Sequence, residues 1–235
     1  MSNDSGNKVT RSERRKMAKR KQQMQSIGMM IIGVLVIVGA VVIISVLQPG
    51  LEKAENRDYS LENMNAIGEP DAPVVVEIYS SFACIHCKNF SDEAEGALFE
   101  NYVNTGKILL VYRSFNGNAD DPAGIAGQAA YCAGDQDAFW KMHDTIFANY
   151  SSSGYTQSQL TSIAKSIDLN QAQFNDCLSS RKYADTVLQD FEIGVDLGIT
   201  GTPSFTINGE VAFKGNTPYE DFAAAIDQAL ATANN

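Results

Sequence analysis

Residues 74–90, VVVEIYSSFACIHCKNF, hold the pattern on which the fold turns. The run Val74-Val75-Val76-Glu77-Ile78-Tyr79 follows Pro73, is β-branched and aromatic, and suits a central strand. After the Cys84-Ile85-His86-Cys87 turn, Phe90, Ala94, Ala97 and Leu98 keep helical spacing, and Gly106 stands where a helix stop is expected. Ile108-Leu109-Leu110-Val111-Tyr112 reads as a second buried strand. Two strands around a helix make a βαβ unit, which favours a parallel pair with a right-handed crossover. Asp92, Glu93 and Glu95 read as a solvated face near the start of that helix, favourable to its dipole.

Further along, residues 121–182 change to all-helical character. Asp121-Pro122 is a start signal, and Thr156 with Gln159 and Asn170 with Gln173 each have capping-box spacing. His143 falls on a face with Phe139, Ile146 and Phe147, and reads as a hydrogen-bonded core or surface residue rather than a catalyst. A further helix runs from about Tyr183 to Leu197 and stops at Gly198. Pro203-Ser204-Phe205-Thr206-Ile207 and Val211-Ala212-Phe213 then flank Asn208-Gly209-Glu210, a strong hairpin signal. Thr217-Pro218-Tyr219-Glu220 opens the last helix. The order is βαβ, a helical insert over about 116–182, then ββα.

Upstream, the formal charge of −10 divides sharply. Residues 1–26 hold 8 Lys/Arg against Asp4 and Glu13, whereas everything after residue 47 holds 10 Lys/Arg against 26 Asp/Glu. An acidic body lacks the clustered cations that phosphate contacts need, so nucleic acid is not an expected partner. Between the two lies IGMMIIGVLVIVGAVVIISVL, residues 27–47, 21 residues without a charge and long enough as a helix to span a bilayer. The basic tail places residues 1–26 on the cytoplasmic side and the acidic body outside, with membrane lipid as a contact of the tail and span. The expected organisation is a basic cytoplasmic tail (1–26), an uncleaved transmembrane helix (27–47), a linker (48–65) and one folded domain (66–235).

The four cysteines, 84, 87, 132 and 177, all fall in the outer part, where disulfides persist. Cys84 and Cys87 form C-x-x-C at a strand-to-helix junction. A thiolate there faces unpaired backbone N–H groups and the positive end of the helix dipole, which lowers its pKa. His86 can add a positive charge or a hydrogen bond. Cys84 is therefore the expected nucleophile and Cys87 its resolving thiol, joined in a redox-active disulfide. Zinc would need a second ligand pair, and a purely structural bridge across so short a loop would constrain little. Neither a metal nor another cofactor is expected. Cys132 and Cys177 lie in apolar helical stripes without C-x-x-C partners and suit a structural disulfide between two insert helices, with buried free thiols as the alternative.

Gly68-Glu69-Pro70-Asp71-Ala72-Pro73-Val74, then FACIHC, then GITGTPSFTING resemble, in that order, the DsbA-like branch of the thioredoxin superfamily over about residues 66–232. The resemblance implies a thioredoxin fold interrupted by a helical subdomain. It makes Pro203 a cis-proline facing the active disulfide, and gives Thr202 and Pro203 the task of presenting backbone to an extended substrate; a trans Pro203 merely starting a strand is the alternative. It also supports pairing of Cys132 with Cys177. Two departures stand out: Ile85-His86 replaces the Pro-His of strongly oxidising members, and Ile78 occupies the place of the usual buried carboxylate. Glu77, one step away, should point to the opposite face.

The expected function is thus a membrane-tethered thiol:disulfide oxidoreductase. It would oxidise cysteine-containing exported proteins and be reoxidised by a membrane partner of the DsbB or vitamin K epoxide reductase-like kind. A reductase or isomerase kept reduced by a membrane donor is the nearest alternative. A non-catalytic, chaperone-like binding module is the alternative from another class.

Overall fold

The computed structural model describes Arg57 and residues 59–233. The basic tail, the apolar span at 27–47 and most of the linker expected at 48–65 lie outside the described residues. Among those described, no helix is long and apolar enough to cross a membrane.

A six-stranded mixed sheet forms the centre. In chain order the strands are β1 (Glu62–Asn63), β2 (Ala66–Ile67), β3 (Val74–Ser80), β4 (Ile108–Ser114), β5 (Ser204–Ile207) and β6 (Glu210–Lys214). Their spatial order is β1-β2-β4-β3-β5-β6. β3 and β4 run parallel from Val74↔Ile108 to Ser80↔Ser114, while β5 lies antiparallel on the other side of β3, with Ile78 opposite Phe205. The hairpin from β5 to β6 turns at Asn208 (φ 50°) and Gly209 (φ 83°), the left-handed pair that a tight primed turn requires.

The helix after β3 begins as α1 (Ile85–Phe90) and continues through a π-helical turn (Ser91–Glu95), α2 (Gly96–Leu98) and a second π-helical turn (Phe99–Val103). The insert contributes α3 (Pro122–Gly134), α4 (Phe139–Ala148), α5 (Gln157–Ser166) and α6 (Gln171–Ser179); α7 (Ala184–Asp196) returns the chain to the sheet, and α8 (Tyr219–Ala233) closes it. One face of the sheet is covered by α1 and α8, where Phe90, Phe205 and Phe222 meet with ring centroids 4.6–5.8 Å apart. The opposite face takes α7. Gly194 lies there against Tyr79 and Phe115, and a Cβ at that position would come within 2.7 Å of the Phe115 ring. The thioredoxin-like core with its helical insert is therefore as expected from the sequence.

Helix starts follow local chemistry where the capping residue is adjacent. Asp121 accepts from the N–H groups of Ala123 and Gly124 at 3.0 and 2.8 Å, and Thr156 with Gln159 completes a reciprocal capping box. Asn170 makes only half of the expected box: it accepts from the Gln173 N–H at 3.1 Å, while the Gln173 side chain donates to the Asp135 carbonyl. At α4 the local N-cap, Ala138, has no side-chain acceptor. Glu62 of β1 supplies one, accepting from the Trp140 N–H at 3.1 Å across 78 positions.

Two readings need correction. Arg57 and Tyr59 onward belong to the domain, not to a linker: β1 and β2 join the sheet, and Arg57 is buried. Two-residue strands carry no period that could reveal them. Glu95 is not on a solvated face either. It is 1% exposed, accepts from the Arg57 guanidinium at 3.0 Å and from the Ser91 hydroxyl at 2.9 Å, and shares Arg57 with Asp144, 2.9 Å away. His143 lies in the same cluster, with Nδ1 2.9 Å from Asp144 and Nε2 3.7 Å from Glu95, so it is a core residue as read. Glu95, His143 and Asp144 are close enough together to surround a cation. The guanidinium of Arg57 already occupies that role. Burial alone would raise the Asp144 pKa; Arg57, then His143 and the Tyr59 hydroxyl, hold it below the usual carboxylate range.

Removing Arg57 leaves two buried carboxylates without their cation, a change that typically costs about 3–5 kcal/mol. Arg57→Met should lower the urea midpoint accordingly, and adding Glu95→Gln should recover part of the loss. A midpoint unchanged in Arg57→Met would show the cluster to be energetically neutral.

Candidate active site

The end of β3 and the start of α1 bring the chemistry together. Cys84 is the N-cap of α1, with extended backbone (φ −88°, ψ 120°), and its carbonyl accepts the first helical hydrogen bond from the Lys88 N–H at 3.1 Å. Its side chain is half-buried, and Cys87, one turn on, is buried. The two sulfurs are not bonded to each other, and Cys84 Sγ lies 3.4 Å from the Thr202 carbonyl oxygen, to which its S–H donates when protonated. The Thr202–Pro203 peptide is cis, so the segment before β5 faces the nucleophile as a short run of backbone.

The two sulfurs have opposite electrostatic surroundings. Cys84 is lowered to about 5, first by a hydrogen bond from the Cys87 thiol, which with the Thr202 hydroxyl and the backbone N–H groups of Cys87 and His86 outweighs the effect of burial. Cys87 is pushed well up, first by burial and then by the neighbouring Cys84; the Ser80 hydroxyl and the Ser81 backbone N–H oppose this. One sulfur is thus a thiolate at neutral pH and within reach of solvent. The other is held protonated beneath it.

His86 enters differently from the sequence expectation. Its ring is exposed and makes no hydrogen bond or ion pair among the described residues, whereas its backbone N–H acts on Cys84. Beside it, Ile85 leaves an apolar side chain 48% exposed at the mouth of the site. Tyr150, at the end of α4, donates through its hydroxyl to the Ala83 carbonyl at 3.1 Å and so ties the insert to the turn before Cys84. No sequence signal marked it, because the contact spans 67 positions.

Glu77 does point away. Its carboxylate accepts from Arg113 and from the Thr206 hydroxyl, both at 2.9 Å, on the face covered by α7. The places below Cys87 are taken instead by Ser80 and Tyr112, which the sequence did not single out. Elsewhere, Cys132 of α3 and Cys177 of α6 form a disulfide with Cα atoms 5.8 Å apart. In the chain-entropy view, closing a loop of that length stabilises by roughly 4 kcal/mol.

Comparison with known proteins points the same way. The family model described as Thioredoxin matches residues 60–228. The chain is 29% identical over 208 residues to "Probable disulfide bond formation protein D" of Bacillus anthracis, covering 85% of this chain and 92% of that protein. It is 30% identical over 178 residues to a Rickettsia bellii protein named as a protein-disulfide oxidoreductase, covering 74% and 67% of the two. Among solved structures it is similar to Wolbachia pipientis alpha-DsbA1, with a TM-score of 0.61, 25% identity, and coverage of 77% of this chain and 96% of that one.

The depressed Cys84 pKa has two measurable consequences. Iodoacetamide should alkylate the reduced protein at Cys84 with a rate that is constant above about pH 6 and falls with a midpoint near pH 5. A midpoint near pH 9 would contradict the geometry. Folding linkage has a definite sign here. A folded pKa below the unfolded value stabilises the reduced protein fully above about pH 9 and not at all below about pH 5. The raised Cys87 pKa acts only above its unfolded value, so between pH 5 and 8 the stability difference between the reduced wild type and Cys84→Ser should grow with pH.

Proposed function

Since the chain belongs to the DsbA-like thiol-disulfide oxidoreductases of the thioredoxin superfamily, we propose that it is a membrane-tethered oxidase of exported proteins, working through a Cys84–Cys87 disulfide. A substrate thiolate attacks Cys84 Sγ. The new S–S bond is a mixed disulfide, and the electron pair of the broken bond leaves on Cys87. The substrate's second thiol then displaces Cys84, which departs as a thiolate, and the substrate keeps the disulfide.

The observation that carries this reading is the depressed pKa of Cys84, about 5. A thiolate stabilised in the reduced protein leaves readily and shifts the equilibrium towards reduced enzyme and oxidised substrate. Thr202 and Pro203 supply backbone for an extended substrate strand, the Thr202 carbonyl lying 3.4 Å from Cys84 Sγ. His86 contributes through its backbone N–H, and Ile85 offers apolar surface beside the sulfur. Residues 27–47 serve as the anchor, with residues 1–26 inside and the catalytic domain outside. A membrane protein of the DsbB or vitamin K epoxide reductase-like kind accepts the electrons. Cys132–Cys177 serves as a structural clamp of the insert.

The reverse direction, reduction or isomerisation by an enzyme kept reduced at the membrane, is the second reading, and it rests on a threonine, Thr202, before Pro203 and on the absence of a proline from the Ile85-His86 dipeptide. The redox equilibrium with glutathione separates the two. A potential less negative than about −180 mV is expected for the oxidase, and a value near −270 mV would make the protein a reductase. Cys84→Ser should abolish dithiol oxidation, and full retention of activity in that variant would sink the mechanism.

A further inference from the structure

The mechanism above leaves Cys87 carrying charge in a buried place, and two hydroxyls stand beneath it. Cys87, Ser80 and Tyr112 are 2%, 3% and 0% exposed. Ile78 is opposite Phe205, whose ring lies 4.7 Å from that of Phe90 on α1, so Ile78 faces the α1 side of the sheet. Tyr112 is paired with Ile78 in the parallel register, and Ser80 follows Ile78 by two, so both share that face. The ring of Tyr112 is clamped: it stacks on Phe82 at 5.2 Å and meets Phe139 and His143 at 5.4 Å each.

With the ring held there, the Tyr112 hydroxyl has no hydrogen-bond partner. A buried donor without an acceptor is unfavourable and calls for a reason. The neighbour whose charge acts on this hydroxyl most strongly is Cys87, and the Ser80 hydroxyl faces both Tyr112 and the Cys87 sulfur. Glu77, the only carboxylate on β3, is on the other face and engaged by Arg113 and Thr206. As a thiolate, Cys87 becomes the charged acceptor that acts most strongly on this hydroxyl.

We propose that Tyr112, together with Ser80, donates hydrogen bonds to the Cys87 sulfur as the Cys84–Cys87 bond opens, doing with neutral hydroxyls what no carboxylate on β3 is placed to do. The inference rests on the Cys84–Cys87 chemistry of the preceding section but not on its direction. The substrate sulfur bonds to Cys84 Sγ, the Cys84–Cys87 bond breaks, and its electron pair remains on Cys87 Sγ, which the two O–H groups hold. The proton released by the substrate's second thiol, as that sulfur displaces Cys84, passes through solvent and ends on Cys87. Two electrons and one proton have moved to the enzyme, and Cys84 remains a thiolate.

Tyr112→Phe deletes only the hydroxyl and keeps the ring in its aromatic contacts. A merely structural residue would show an unchanged or slightly raised melting temperature and nothing else, because the lost group had no partner. The proposal expects, in the full-length protein, a rate of disulfide opening by dithiothreitol at least about tenfold slower than wild type by quenched alkylation. The alkylation rate of Cys84 in the reduced protein should stay as in wild type. An unchanged opening rate in a folded Tyr112→Phe protein overturns the role of Tyr112. Should that variant fail to fold, Ser80→Ala decides: slowed opening supports the donor pair, and wild-type opening overturns it. Dithiothreitol opens the disulfide whichever way electrons flow in the cell. Failure of wild type to oxidise substrate dithiols would thus refute the oxidase reading and leave this test standing.

Discussion

A sulfur atom is a large, weakly hydrated acceptor, and what makes Cys84 a stable thiolate is the convergence of several modest donors on it. The Cys87 thiol, the Thr202 hydroxyl and two N–H groups of the first helical turn all point at one atom. None of them is a charged side chain. Each donor comes from a part of the backbone that is fixed for another reason: α1 by its packing on the sheet through Phe90, and the Thr202–Pro203 segment by the hydrogen bonding of β5 to β3. Thiol chemistry depends on that convergence, and the convergence depends on β3 ending where it does.

The same junction sets a second constraint. Side chains alternate along β3, so the face below α1 receives Ile78 and Ser80 while the face below α7 receives Glu77 and Tyr79. A carboxylate one position out of phase cannot be brought under Cys87 by small movements. The space under the buried sulfur is filled by Ser80 and by Tyr112 of the neighbouring strand. Among the described residues the buried charges lie elsewhere: Arg57, Glu95 and Asp144 gather where α4 meets the helix that follows β3, and Asp190 of α7 pairs with Arg113.

Much of this was legible in the sequence, and what was legible shares a feature. The C-x-x-C at a strand-to-helix junction, the βαβ unit, the Asn208-Gly209 hairpin and the caps at Asp121 and Thr156 are all decided by residues within a few positions of one another. What escaped was decided across the chain. Glu62 caps α4 from 78 positions away, Arg57 reaches Glu95 across 38 positions and Asp144 across 87, and Tyr150 binds the turn before Cys84 across 67. Glu95 shares an acidic run with Asp92 and Glu93, which are partly or wholly exposed, and only the fold brings a guanidinium to it. At His86 the backbone N–H acts on Cys84, while the exposed imidazole makes no hydrogen bond among the described residues.

The position of Arg57 has a mechanical consequence. Arg57, the first described residue, has a guanidinium that grips two separate pieces at once: Glu95, on the helix that begins at Cys84, and Asp144, in the inserted helices. A pull transmitted along the polypeptide from the N-terminal side is therefore delivered between these two pieces and loads both. It does not peel away an outer strand. Among the described residues, the first side chain that such a pull reaches is held by two buried, charge-assisted bonds, so part of the load falls on the helix that begins at the reactive sulfur.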